Sequence, residues 1–115
     1  MPNADSAAES RLAVYGSLAP GQVNHHQLAG LNGRWYRGTV RGKRLEAGWG
    51  NTLGFPGLIL DPEGPAVDVQ VFESSDLPDH WSRLDDFEGP GYRRVVTRVH
   101  TPQGELSACI YVVVV

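Results

Sequence analysis

Glu88 is the residue of this 115-residue chain whose setting best suits it to move protons. From Leu77 to Glu88 the spacing predicts a short amphipathic helix. At about 100° per residue, Leu77, Trp81, Leu84 and Glu88 fall in one narrow sector, while Asp79, Arg83 and Asp86 project from the other sides. A carboxylate in line with an apolar stripe is drawn partly out of water. Its charged form is then disfavoured and its pKa rises toward the range where it exchanges protons near neutrality. A second reading stands beside this one. The helix ends naturally at Gly89, and Glu88 turns to solvent or pairs with Arg93 or Arg94. By residue type alone the ion pair is favoured, because ion-pairing carboxylates outnumber catalytic ones.

A second stretch with chemical potential follows the apolar run Leu12-Ala13-Val14-Tyr15. There Gly16-Ser17-Leu18-Ala19-Pro20-Gly21 reads as a glycine-bearing loop leaving a strand, and Val23 to Leu31 can form a helix after it. Such a loop presents backbone N–H groups at a helix start, a setting that binds carboxylates. It matches neither a Walker-type nor a dinucleotide-binding pattern and carries no Lys to reach phosphate, so an ordinary strand-to-helix turn is the other reading. His25 and His26 are adjacent and diverge on a helix, which rules out the i, i+4 pair of a zinc motif. Asn24 can cap the helix start.

Composition removes several classes of function. Ten basic residues against thirteen acidic give a net charge of −3, and no basic cluster exceeds Arg93-Arg94. Nucleic acid is therefore not an expected partner. No apolar run is long enough to span a bilayer, and the first residues lack the pattern of a secretory signal, so a cytoplasmic protein is expected. Cys109 is the only cysteine, which excludes an intramolecular disulfide and a thiolate metal site. It lies in a strand-like run with no activating base in evidence and reads as a core side chain.

The elements that must position Glu88 are mostly strands. Residues 1–10 lack periodicity and read as a disordered, dispensable leader, which leaves 11–115 as a single domain. Gly33 to Ala47, with Trp35, Tyr36, Thr39, Val40 and Leu45 among charged residues, reads as a long bent strand or a hairpin interrupted by Gly38 and Gly42. Gly48 to Gly57 is a glycine-dense loop in which Trp49 and Phe55 either wall a pocket or lid the core. Leu58-Ile59-Leu60 is a buried strand, and Val67, Val69 and Val71 mark a half-buried one. Ser75 or Asp76 can cap the following helix, and Pro78 is tolerated in its first turn. Tyr92 to His100 and Leu106 to Val114 close the chain across the turn Thr101-Pro102-Gln103-Gly104. The last strand is apolar on both faces and must be central or covered. About six strands with two short helices point to an α+β domain, a small barrel or highly curved sheet. An edge strand or the Trp35-Tyr36 surface offers a route to a homodimer, with neither symmetry nor interface specified.

Three groups of residues, in order, carry a family resemblance. They are Val14-Tyr15-Gly16-Ser17-Leu18 with Gly21 and Asn24-His25, then Phe55-Pro56-Gly57-Leu58, and finally Leu84-Asp85-Asp86-Phe87-Glu88-Gly89 with Tyr92-Arg93-Arg94. On these the chain resembles the gamma-glutamylcyclotransferase-like (AIG2-like) family over nearly the whole domain. The resemblance implies a small mixed β-barrel with flanking helices and one cavity between the Tyr-Gly-Ser-Leu loop and the Glu-Gly segment. It implies that Glu88 is the general acid/base and that Tyr15, Gly16, Ser17 and Leu18 hold a γ-glutamyl group. The implied reaction converts a γ-glutamyl compound to 5-oxoproline with release of an amine or amino acid, and needs no metal or organic cofactor. A non-catalytic module that binds a carboxylate-bearing metabolite is the alternative.

The residues fit that chemistry. A glutamyl α-amine attacks its own γ-carbonyl only after losing a proton, which Glu88 can take and then hand to the departing nitrogen. Backbone N–H groups from Gly16 to Leu18 suit either the substrate carboxylate or the developing oxyanion. Tyr15 and Tyr92 are hydrogen-bond donors and pocket walls, or else half-buried aromatics with satisfied hydroxyls. Val69 departs from the family pattern, in which many relatives carry glycine followed by an acidic residue. That difference bears on the adjacent pocket wall and on which γ-glutamyl compound is taken.

Overall fold

The period-two segments become six strands in the computed structural model of the protein, which describes residues 7–15, 26–45 and 57–114. They are β1 (Arg11–Val14), β2 (Arg34–Leu45), β3 (Gly57–Leu60), β4 (Ala66–Glu73), β5 (Tyr92–Thr101) and β6 (Gly104–Val113). Helices α1 (His26–Ala29) and α2 (Trp81–Glu88) flank them, the latter preceded by a 3-10 turn at Leu77–Asp79. The sheet order is β3-β2-β4-β1-β6-β5, and a further pairing of β2 with β5, at Thr39 and His100, closes five of the strands into a barrel. β1 and β6 run parallel and the other pairs antiparallel, so this is the small mixed barrel expected, with β3 added beside β2.

Closure depends on a glycine. A Cβ at Gly38 would sit 2.5 Å from Val99 Cγ1 and 3.0 Å from the His100 carbonyl oxygen, so a side chain there would push β5 away from β2. Past that crossing β2 changes partner, from β4 through Arg41 to β3 from Gly42 onward. The long bent strand predicted from the sequence is this one element serving two neighbours.

Alternation along the strands builds two apolar layers. Ala13, Val40, Leu58, Val69, Val71, Val99, Ala108, Ile110 and Val112 fill the barrel. Leu12, Val14, Phe72, Cys109 and Tyr111 face outward, where Leu28, Leu77, Trp81 and Leu84 cover them. β6 is apolar on both faces because one lines the barrel and the other lies under the helices. Each fully buried aliphatic side chain contributes about 1.5–3 kcal/mol. Cys109, 1% exposed, is a core residue, and burial pushes its thiol pKa up. Val69 faces the barrel interior opposite Gly38, so its departure from the family pattern fills core volume.

Three expectations need correction. Residues 7–10 are not a disordered leader: Ala8 is completely buried, the Glu9 carbonyl accepts from Trp81 Nε1 at 2.9 Å, and the Ser10 carbonyl accepts from the Ser74 N–H at 2.8 Å. The helix from Leu77 is not continuous, since His80 separates the 3-10 turn from α2, yet Leu77, Trp81 and Leu84 all remain buried on one side. Asp76 stands at the N-cap position of the 3-10 turn, but its side chain makes no capping hydrogen bond. Asp76 Oδ2 instead accepts the Asn32 N–H at 2.9 Å, and Ser74 Oγ accepts the Asp76 N–H while donating to the Asn32 carbonyl. These polar residues tie the start of β2 to the helix approach. Among the described residues, no helix is long and apolar enough to cross a membrane.

Candidate active site

Strand directions gather one end of the barrel around Glu88. β1 and β6 run parallel, and β2 points the same way because both it and β1 are antiparallel to β4. Tyr15, Leu45 and Val113 therefore stand at the same end, where β5 begins at Tyr92. α2 delivers its last residue, Glu88, just before that point. Gly89 ends the helix with φ 82°, a conformation that favours glycine, and its N–H reaches the Asp85 carbonyl at 3.0 Å. The turn is fixed by Tyr92 N–H to the Gly89 carbonyl (3.2 Å) and Val114 N–H to the Gly91 carbonyl (3.0 Å).

Burial pushes the Glu88 carboxyl up to about 7. Its charge acts on three tyrosines. Tyr92 is raised to about 12 by burial and then by Glu88. Tyr15 is pushed well above the ordinary phenol range by burial, Tyr92 and Glu88, with Arg44 opposing. Tyr111 is raised by burial, by its bond to Asp85 and, to a smaller extent, by Glu88. All three phenols remain protonated at neutral pH and act as hydrogen-bond donors, while among these four groups Glu88 lies in range to exchange a proton.

A chain of hydrogen bonds braces the tyrosines. Tyr15 OH donates to the Tyr111 carbonyl at 2.6 Å, and Tyr111 OH donates to Asp85 Oδ1 at 2.6 Å. Asp85 also takes a bidentate pair from Arg94, Nε at 2.9 Å and Nη2 at 3.2 Å. Although partial burial pulls the other way, these bonds hold the Asp85 carboxyl below its ordinary value. The Arg94 guanidinium lies 4.4 Å from the centroid of the Trp81 ring, which fixes it over α2. Arg94 is thus committed to Asp85, and among the described residues no ion pair reaches Glu88.

Of the residues singled out from the sequence, Glu88, Tyr15 and Tyr92 come together. Gly16, Ser17 and Leu18 lie outside the described residues, as do Asn24, His25 and residues 48–56 of the glycine-dense loop. Sequence reasoning missed Asp85, Arg94 and Tyr111 as a unit. The available signals were Asp85 at i−3 from Glu88 and a lone tyrosine hydroxyl in an otherwise apolar strand. Among the described residues, no group of three or more His, Cys, Asp and Glu is arranged to hold a metal ion.

The barrel is similar to known proteins. Residues 12–114 match the family described as Gamma-glutamyl cyclotransferase, AIG2-like, and the chain belongs to that family. No curated protein matches it. Among solved structures it is similar to YkqA from Bacillus subtilis, with 30% identity and a TM-score of 0.71 over 90% of this chain and 35% of that one. This chain thus spans only part of that larger protein. It is similar in fold to an AIG2-like protein from Mus musculus, 24% identical with a TM-score of 0.68 over 90% of this chain and 76% of that one. A gamma-glutamyl cyclotransferase shares the fold at 18% identity and a TM-score of 0.65, over 90% of this chain and 66% of that one.

Proposed function

We propose that the protein is a cyclotransferase that converts a small γ-glutamyl amide to 5-oxoproline with release of the amine. The observation that carries this reading is Glu88: a carboxyl raised to about 7 by burial, beside Tyr15 and Tyr92, with Arg94 engaged by Asp85. Family membership supports it.

The ionised Glu88 takes a proton from the substrate's α-ammonium group. The freed nitrogen attacks the γ-carbonyl carbon, a C–N bond closes the lactam ring, and the original amide C–N bond breaks. The protonated Glu88 hands its proton to the departing nitrogen, so the carboxylate ends as it began. A pKa near neutrality suits one group to both transfers, because neither direction is steeply uphill. Tyr15, whose hydroxyl proton is engaged by the Tyr111 carbonyl, walls the substrate, and Tyr92 offers a hydrogen bond to the carbonyl oxygen as charge gathers on it. The segment Gly16 to Leu18 holds the γ-glutamyl group.

The test is 5-oxoproline release, followed by mass spectrometry, from γ-glutamyl amino acids, amines and dipeptides. The parent should release it, and Glu88→Gln should lose ~10²–10⁴ in rate, the usual contribution of general acid/base catalysis. Binding of these compounds without turnover by the parent would make the domain a binding module. Equal turnover by parent and variant would remove Glu88 from the mechanism.

A further inference from the structure

Asp85 and Glu88 stand three residues apart on α2, a spacing that leaves about 5–6 Å between Cβ atoms on one side of a helix. Their surroundings differ. Asp85 is held from several directions: Arg94 bonds both of its carboxylate oxygens, Tyr111 OH donates to Oδ1, and its backbone carbonyl accepts the Gly89 N–H that ends the helix. Arg94 lies directly opposite Tyr111 in the β5–β6 register, so the two donors reach Asp85 from adjoining strands. Trp81, one turn earlier on α2, carries the same guanidinium over its ring. These contacts draw the cation toward the start of the last helical turn. Around Glu88, at the end of that turn, stand Tyr15 after β1, Tyr92 on β5 and Tyr111 on β6, all uncharged at neutral pH. Asp86 shares its helix, Arg93 and Arg94 lie beyond the turn on β5, and Arg44 on β2 bears on Tyr15. Among the described residues none of these cations forms an ion pair with Glu88.

We infer that Asp85 is a positioning residue for the reaction: it captures Arg94 at the start of the last turn of α2, so that Glu88 at the end of that turn is left unpaired and available for proton transfer. This rests on the cyclotransferase reading. A guanidinium without its carboxylate, this close to Glu88, favours the ionised form and makes it a weaker base. A lone Asp85 carboxylate does the reverse. Paired, the two charges offset each other, and burial is left to set the proton affinity of Glu88. Tyr111 and the end of α2 thereby gain a charged anchor that places no net charge beside the acid–base group.

The test removes the two charges singly and together while titrating Glu88 itself. Its carboxyl resonance is followed by NMR in protein labelled with ¹³C-glutamate, assigned by its loss in Glu88→Gln, in the parent, Asp85→Asn, Arg94→Gln and the double variant. Asparagine keeps an oxygen for Tyr111 and Arg94, so Asp85→Asn removes the charge with little change of shape. The pair is partly exposed, and melting temperatures establish that each variant folds. Asp85→Asn should lower the Glu88 midpoint by about 1 pH unit or more, Arg94→Gln should raise it, and the double variant should return it close to the parent's. Arg94→Lys, which keeps the charge, should also stay near the parent. The inflection in kcat/KM for 5-oxoproline release should move in the same directions. A residue that served only to stiffen the fold would leave the midpoint in place. An unmoved midpoint, a shift of the same sign in both single variants, or a double variant that fails to return would overturn the assignment. Midpoints that move as expected in a protein that releases no 5-oxoproline from any γ-glutamyl compound would overturn the cyclotransferase reading alone.

Discussion

Neutralising Glu88 should make the protein more stable while it stops the reaction. In the folded chain, burial raises the Glu88 carboxyl from an ordinary value of 4.5 to about 7. The folded state therefore holds this proton more tightly than the unfolded chain does. Its contribution to stability is fully present below about pH 4.5, and it is lost as pH rises through about 7. At about 1.4 kcal/mol per pH unit, the ionised carboxylate costs the fold about 3 kcal/mol above neutrality, to within about 1 kcal/mol. Glu88→Gln removes the charge and leaves a polar side chain of nearly the same shape. For a domain of this size the gain corresponds to about 10 °C in melting temperature near pH 8. Thermal melts of parent and variant, recorded in parallel from about pH 4.5 to 8, check this, because other titrations cancel in the difference. The advantage of Glu88→Gln should be small at the acid end and widen steadily toward pH 8. A difference that stays constant over this range would show that Glu88 is not a buried, destabilised carboxylate, and the catalytic argument would lose its physical basis.

Two further changes probe the parts that hold Glu88 in place. Asp85→Asn should lower melting temperature only modestly, by the equivalent of about 1 kcal/mol, because the Arg94 pair is partly exposed and screened by solvent. It should depress kcat for 5-oxoproline release by a larger factor, since the Tyr111 hydroxyl and the last turn of α2 lose their common anchor. Equal activity per folded molecule would limit Asp85 to a structural role. Gly38→Ala should destabilise the domain by about 1–3 kcal/mol in urea unfolding, because its methyl group meets Val99 and the His100 carbonyl where the barrel closes; a neutral effect would mean that β2 and β5 do not approach as closely as described.

The apolar frame was legible because each part of it carries its own pattern. The last strand, read from Leu106 to Val114 as central or covered, is β6, and both of its faces are occupied. Leu77, Trp81 and Leu84 read as one helical stripe and are all buried, even though His80 breaks the helix between them. Glu88 continues that stripe, so the upward direction of its pKa could be reasoned from spacing. The polar partnerships were not legible. Arg94 had two acidic neighbours in sequence terms, Asp85 and Glu88, and its choice of Asp85 follows from the register of β5 against β6, which brings Arg94 opposite Tyr111. Residues 7–10 gave no signal because the groups that join them to the rest are the Glu9 and Ser10 backbone carbonyls, which every residue type possesses.

The most direct test of Glu88 as acid and base is the pH dependence of kcat/KM for 5-oxoproline release by the parent, alongside Glu88→Gln. The parent's activity should rise with pH through an apparent pKa near 7, as burial converts an ordinary carboxyl into a base poised at neutrality. Glu88→Gln should lack that inflection and run ~10²–10⁴ lower. A parent profile flat across neutrality, or the same inflection surviving in Glu88→Gln, would contradict the assignment.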